Sequence, residues 1–140
     1  VPPGTAYDGA RNITIGSNND FVISKAGKYV INYSIQYTNA RPDNDFSDVY
    51  VWLRVNGGDV ANSSSVFTIS LRKNNNDPGK LIAISPLFFS ANANDSVQIV
   101  AAAPYSSYVA MNTIPVVAAS GSTPSIPQTP ATIFLIQEIT

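Results

Sequence analysis

The stretch that decides the fold spans residues 28–37 and reads Lys28-Tyr29-Val30-Ile31-Asn32-Tyr33-Ser34-Ile35-Gln36-Tyr37. Aromatic and branched apolar residues occupy every second position, and mostly polar residues lie between them. Because side chains of a β-strand point alternately to its two faces, this spacing predicts a strand with one face in the core. The predicted inward residues are Tyr29, Ile31, Tyr33, Ile35 and Tyr37.

The rest of the chain repeats this strand pattern between turn signals. Residues 48–55 alternate in the same way, and Asn56-Gly57-Gly58 then supplies the residues that a tight hairpin turn requires. Further strands are predicted over 66–71, 80–90 with an interruption at Pro86, 96–103 and 131–139, while 121–130 reads as a loop. Helical periodicity is absent. Seven to nine short antiparallel strands in two packed sheets are therefore expected, an all-β sandwich.

The composition of the 140-residue chain narrows the range of functions. It has eight basic and nine acidic residues, scattered without a basic stripe, which argues against nucleic-acid binding. Cysteine and histidine are absent, so the chain has no disulfides, no thiolate metal site and no histidine general base. The longest nearly uncharged apolar stretch, 81–89, is too short to span a bilayer. We therefore expect neither catalysis nor membrane insertion.

An acidic segment is the one candidate for a metal site. Asp43, Asp45 and Asp48 place three carboxylates within six residues, and calcium prefers such hard oxygen ligands. The alternative is a solvated loop between two strands in which the acids serve as turn residues. The spacing does not match an EF-hand loop.

Aromatic residues provide the candidates for binding surfaces. Tyr105 and Tyr108 fall in a predicted loop after Pro104, and Tyr-Ser chemistry of this kind is adaptable in binding loops, although an ordinary exposed loop has the same composition. Trp52 and Tyr50 face away from the predicted inward residues of their strand. They belong either to the second face of a buried strand or to a subunit contact.

Four segments in order resemble the complement globular-head and tumour-necrosis-factor-like jelly-roll family. They are Phe21-Val22-Ile23-Ser24-Lys25-Ala26-Gly27-Lys28-Tyr29-Val30-Ile31, Val51-Trp52-Leu53-Arg54-Val55-Asn56-Gly57, the segment from Leu87 to Ile99 containing Asp95-Ser96-Val97, and the closing strand from Pro130 to Gln137. The closing strand lacks the Phe-Ser-Gly-Phe signature of vertebrate members. The asparagine-rich, cysteine-free style is more similar to the bacteriophage and large-virus versions.

The resemblance implies a jelly-roll sandwich over 13–140 that assembles as a homotrimer. It further implies a structural role on the outside of a virus or phage particle, as a decoration protein, head fibre or spike domain. The alternative is a fibre tip that binds a receptor or host-surface glycan, with calcium as an optional aid. Residues 1–12 are expected to be an arm or linker that reaches a capsid or other virion protein. Val1-Pro2-Pro3-Gly4 shows no signal-peptide pattern.

Overall fold

The computed structural model describes residues 12–113, 115–122 and 124–139. In this part of the chain there are ten β-strands and no helix, which confirms the all-β prediction. The strands are β1 (Ile13–Ile15), β2 (Phe21–Ile23), β3 (Gly27–Asn39), β4 (Ser47–Val55), β5 (Gly58–Asp59), β6 (Ser65–Ile69), β7 (Gly79–Ala91), β8 (Asp95–Ala102), β9 (Val109–Met111) and β10 (Thr132–Ile139). Apart from Asn12, the predicted N-terminal arm lies outside the described residues.

The strands form two antiparallel sheets around one core, as expected of a β-sandwich. In the first sheet the order is β1-β2-β8-β4, and β5 and β6 both pair with β4. In the second sheet the order is β10-β3-β7, and β9 pairs with the last residues of β3. Consecutive long strands alternate between the sheets, so both layers depend on contacts between residues that are distant in sequence.

The predicted inward face of β3 is confirmed residue by residue. Each of its aromatic and branched apolar residues is at most 3% exposed, and these residues are Tyr29, Ile31, Tyr33, Ile35 and Tyr37. The first sheet supplies the opposing layer through the buried Val49, Val51 and Leu53 of β4. Burying one such side chain contributes about 1.5–3 kcal/mol, so this two-layer contact is the largest stabilising element of the fold.

The predicted turn at Asn56-Gly57-Gly58 is also confirmed. Asn56 and Gly57 have φ values of 50° and 80°, the left-handed conformation that a two-residue hairpin turn requires. The Asn56 side chain also links this turn to the start of β8. Its Nδ2 donates to Asp95 Oδ1 at 2.8 Å, and its Oδ1 accepts from the Ser96 backbone N–H at 2.9 Å.

The predicted interruption at Pro86 is wrong. β7 runs without a break through Pro86 and pairs with β3 from Gly27↔Ala91 to Asn39↔Gly79. Proline removes one backbone donor, which breaks a ladder only where the strand has a neighbour on that side. Among the described strands β7 pairs only with β3, so this edge of the sheet tolerates Pro86.

A long loop separates β9 from β10. The predicted loop over 121–130 is confirmed but is only part of a longer excursion, residues 112–131, which we call the ribbon loop. Both of its ends bond to the same residue of β3: Asn112 N–H donates to the Gln36 carbonyl at 3.1 Å, and Gln36 N–H donates to the Ala131 carbonyl at 2.8 Å. β9 pairs with 37–39 and β10 with 28–35. The two strands are therefore collinear pieces of one edge strand.

Two of the tyrosines of β3 differ in whether their hydroxyls form a hydrogen bond, and this difference is testable. Tyr29 Oη donates to the Lys25 carbonyl at 2.7 Å, whereas the buried Tyr37 Oη has no hydrogen-bond partner among the described residues. We expect Tyr29→Phe to lower the free energy of unfolding by about 1 kcal/mol, and Tyr37→Phe to leave it unchanged or raise it. Urea denaturation of the two matched variants measures this, and equal losses would contradict it.

Candidate functional site

The outer face of the second sheet is unusually apolar. β7 and β10 carry apolar residues on both faces, although an antiparallel sheet normally turns a polar face to water. We call the outward set the apolar face, and its large residues are Ile82, Ile84, Phe88, Ile133, Leu135 and Ile139. Phe88 is 70% exposed, Ile84 64% and Leu135 52%. Contiguous exposed apolar surface of this kind marks an interaction site.

The register shows that the apolar face is continuous and free of charge at its centre. Ser34 of β3 lies between Ile84 on one side and Ile133 on the other. Val30 likewise lies beside Phe88, and the polar residues that β3 contributes at the centre are uncharged. Two lysines lie at its ends, Lys28 opposite Ile139 and Lys80 opposite Thr38. Another protein surface can therefore cover the centre of this face without removing a charge from water, which is the main cost of burying polar surface.

The outer face of the first sheet has a different character. Trp52 is half-buried, and its Nε1 donates to Asp59 Oδ1 at 2.8 Å. Arg54 Nε donates to the same oxygen at 2.8 Å, and these two donors lower the pKa of Asp59. Tyr50, 40% exposed, lies on this face as well. The structure thus places both predicted subunit-contact residues on a charged face, and their role as contacts stays a prediction.

At one end of the sandwich, Arg41 joins two loops that the sequence analysis treated separately. Its guanidinium pairs with Asp43, donates to the Phe46 carbonyl at 2.9 Å and lies 3.5 Å from Asp45. The same guanidinium lies 3.8 Å from the ring centroid of Tyr105, a cation–π contact. The hydrogen bond from Arg41 lowers the pKa of Asp43. The structure therefore brings Tyr105 together with Asp43 and Asp45.

Asn39, which is fully buried at the end of β3, fixes the loop that carries these acids through side-chain hydrogen bonds. Its Nδ2 donates to the carbonyls of Asp45 at 2.8 Å and Ser70 at 3.2 Å. Its Oδ1 accepts from Arg41 N–H and from Ser47 Oγ, each at 3.1 Å. The sequence analysis did not identify Asn39 or Arg41. Asn39 could have been recognised as a polar residue at an inward position of a strand, and Arg41 as a single cation next to a run of acidic residues.

The geometry gives the calcium prediction no support. Asp43 and Asp45 face Arg41, while Asp48 lies on β4 and accepts from Thr68 Oγ1 at 2.7 Å. The three carboxylates thus serve different partners. In the described ranges, no group of three acidic side chains is placed to hold a metal ion. Calcium binding by these residues stays a prediction.

Tyr108 is positioned by backbone contacts and is 42% exposed. Its N–H donates to the Tyr105 carbonyl at 2.9 Å, and its carbonyl accepts from Ala40 N–H at 2.9 Å. These bonds close the loop after β8 and tie it to the chain just beyond β3. Both predicted binding-loop tyrosines are therefore exposed at the same end of the sandwich as Arg41.

No known protein family and no curated protein matches this sequence. None of the segments placed by the structure is a helix long and apolar enough to cross a membrane.

The pairing of Asp43 with Arg41 predicts an acid-dependent loss of stability. Because the pKa of Asp43 is lowered in the folded chain, its contribution is present above the ordinary value of 3.8 and is lost as pH falls through the lower folded pKa. We expect Asp43→Asn to reduce stability at pH 7 and to flatten part of the decline below about pH 4. Urea midpoints measured from pH 7 to pH 2 check this. Parallel curves for the two proteins would contradict it.

Proposed function

We propose that this chain is a structural protein of the outer surface of a virus or phage particle that assembles as a homotrimer through the apolar face. The apolar face is the observation that carries the proposed assembly, since a monomer gains nothing from exposing Ile84, Phe88 and Leu135 to water. The work of such a protein is binding and assembly, not catalysis. A partner in the capsid, reached through residues 1–12, is part of the same proposal.

The strand order supports the finer proposal of a jelly roll. The first sheet contains β2, β4, β6 and β8, and the second contains β3, β7 and β10. The chain therefore crosses between the sheets after β2, β3, β6, β7 and β8. This alternation between two antiparallel sheets is what a jelly roll of two interlocked Greek keys requires. The four segments that resemble the complement-head and tumour-necrosis-factor-like family contain residues of β2, β3, β4, β7, β8 and β10. Trimerisation and the location on a particle rest on that resemblance.

The mass of the folded protein in solution tests the assembly. We expect light scattering after size exclusion to give about three times 14.9 kDa. Phe88→Ser should raise the dissociation constant at least about tenfold, because a central aromatic anchor contributes well over 1 kcal/mol to binding. Val66→Ser is the matched control, since Val66 is 57% exposed on the outer face of the first sheet. A monomer at micromolar concentration, or equal effects of both variants, would refute the proposal.

A second candidate function is a fibre tip that binds a receptor or a host-surface glycan. The observation that favours it is the meeting of Tyr105, Arg41 and Asp43 at one end of the sandwich, where Tyr108 is also exposed. Exposed tyrosine rings beside fixed charged groups provide both stacking and hydrogen-bonding surfaces for a sugar.

Glycan binding tests this second function. If the site exists, Tyr105→Ala and Tyr108→Ala should each weaken binding to the preferred glycan on an array by about tenfold or more. Tyr50→Ala, which removes an equally exposed tyrosine from the side of the sandwich, should leave binding unchanged. Absence of binding by the unaltered trimer to any glycan presented, or a loss with Tyr50→Ala of the same size, would rule it out.

A further inference from the structure

The ribbon loop is an insertion into one strand. Met111 at the end of β9 pairs with Tyr37, and Thr132 at the start of β10 pairs with Ile35. A single residue opposite Gln36 would therefore make β9 and β10 one continuous strand. The chain instead inserts residues 112–131 at that point. Within the insertion, Val117 and Ile126 exchange two backbone hydrogen bonds of 3.0 and 2.9 Å, so the loop folds back on itself as a narrow ribbon.

Most of the described part of the ribbon loop is open to solvent in the single chain. Each described residue from Asn112 to Gln128 is exposed, including Val116, Val117 and Ile126. Loops of this length without regular structure are uncommon in compact domains, and surface loops that are independent units normally pack their own side chains. The loop also has no charged residue over its whole length. Another protein surface can therefore cover this loop without removing a charge from water.

The size of the apolar face leads to the same conclusion. A stable protein interface uses roughly 20–30 residues a side, and the central outward positions of β3, β7 and β10 number only about a dozen. The ribbon loop adds a second uncharged surface of comparable size, directly joined to the edge strand of that sheet. In a contact between copies the two surfaces lie on opposite sides: the 20 residues of the ribbon loop reach the lower end of that range, and the apolar face supplies the surface that they cover.

We infer that the ribbon loop of one copy of this chain lies across the apolar face of the neighbouring copy. This inference rests on the proposed homotrimer and identifies the segment that closes it. The apolar face is the surface that fits, because the ribbon loop offers no charge to replace the water around a charged partner. The outer face of the first sheet fits less well, because covering it would remove the Arg54–Asp59 pair and Asp48 from water.

Cross-linking between copies tests the contact directly. The chain has no cysteine, so single cysteines can be introduced cleanly. Tagged Val117→Cys chains are mixed with untagged Ile84→Cys chains under conditions that exchange subunits, and a short bis-maleimide is added. We expect a tagged–untagged conjugate. Val66→Cys in place of Ile84→Cys is the control, because its side chain is equally exposed on the opposite sheet and should give at most a tenth of that yield.

Removal of the ribbon loop provides the second measurement. Replacing residues 112–131 by a single threonine joins β9 to β10 in register and leaves the core untouched. We expect this variant to retain the far-ultraviolet spectrum of the unaltered protein, while its trimer dissociates at a concentration at least tenfold higher.

The outcomes separate the two proposals. If the unaltered chain is a monomer, the proposed homotrimer itself fails and the inference fails with it. If the unaltered chain is a trimer but the shortened chain dissociates at the same concentration, or the two cross-linking pairs give equal yields, only the inference about the ribbon loop is overturned.

Discussion

The alternation of side chains along β3 is the constraint on which the rest of the structure depends. This strand has a paired neighbour on each side, β7 on one and the collinear β9 and β10 on the other. Its inward tyrosines and isoleucines meet the valines and leucine of β4 across the sandwich. Because the period is two, a slip of one residue would turn every one of these side chains to the outside. The register of the whole second sheet follows from this one strand.

The same period explains why the apolar face is on the second sheet. With β3 fixed, residues at even positions of β7 and at odd positions of β10 must point outward. Outward positions of an antiparallel sheet are usually polar, and most outward residues of β3 follow this rule. In β7 and β10 most of them are apolar, among them Ile84, Phe88 and Leu135, although these side chains contribute nothing to the core of the single chain. The difference between the strands therefore supports the proposal that another protein surface covers this face.

Much of the fold could be predicted from the sequence, because strand period and turn chemistry are local properties. The inward residues of β3 and β4 and the turn at Asn56 and Gly57 are all of this kind. The continuity of β7 through Pro86 was not predictable, since it depends on which side of the strand is unpaired. The strands β1, β2 and β9 have three residues each, too few for an alternation of apolar and polar residues to be recognised in the sequence. Arg41 escaped notice for a related reason, because its partners Asp43 and Tyr105 come from different loops and meet only in the folded chain.

The splitting of one edge strand into β9 and β10 has a consequence for how the chain can change over evolutionary time. The entropy of closing a loop grows only logarithmically with its length, by about 0.6 kcal/mol for each doubling. Both ends of the ribbon loop are fixed to Gln36, so added or deleted residues between them leave the core and the strand register unaffected. The position opposite Gln36 is thus a place where the chain can gain or lose length at little cost to the fold of the single chain, so that the surface presented there can change while the core stays the same.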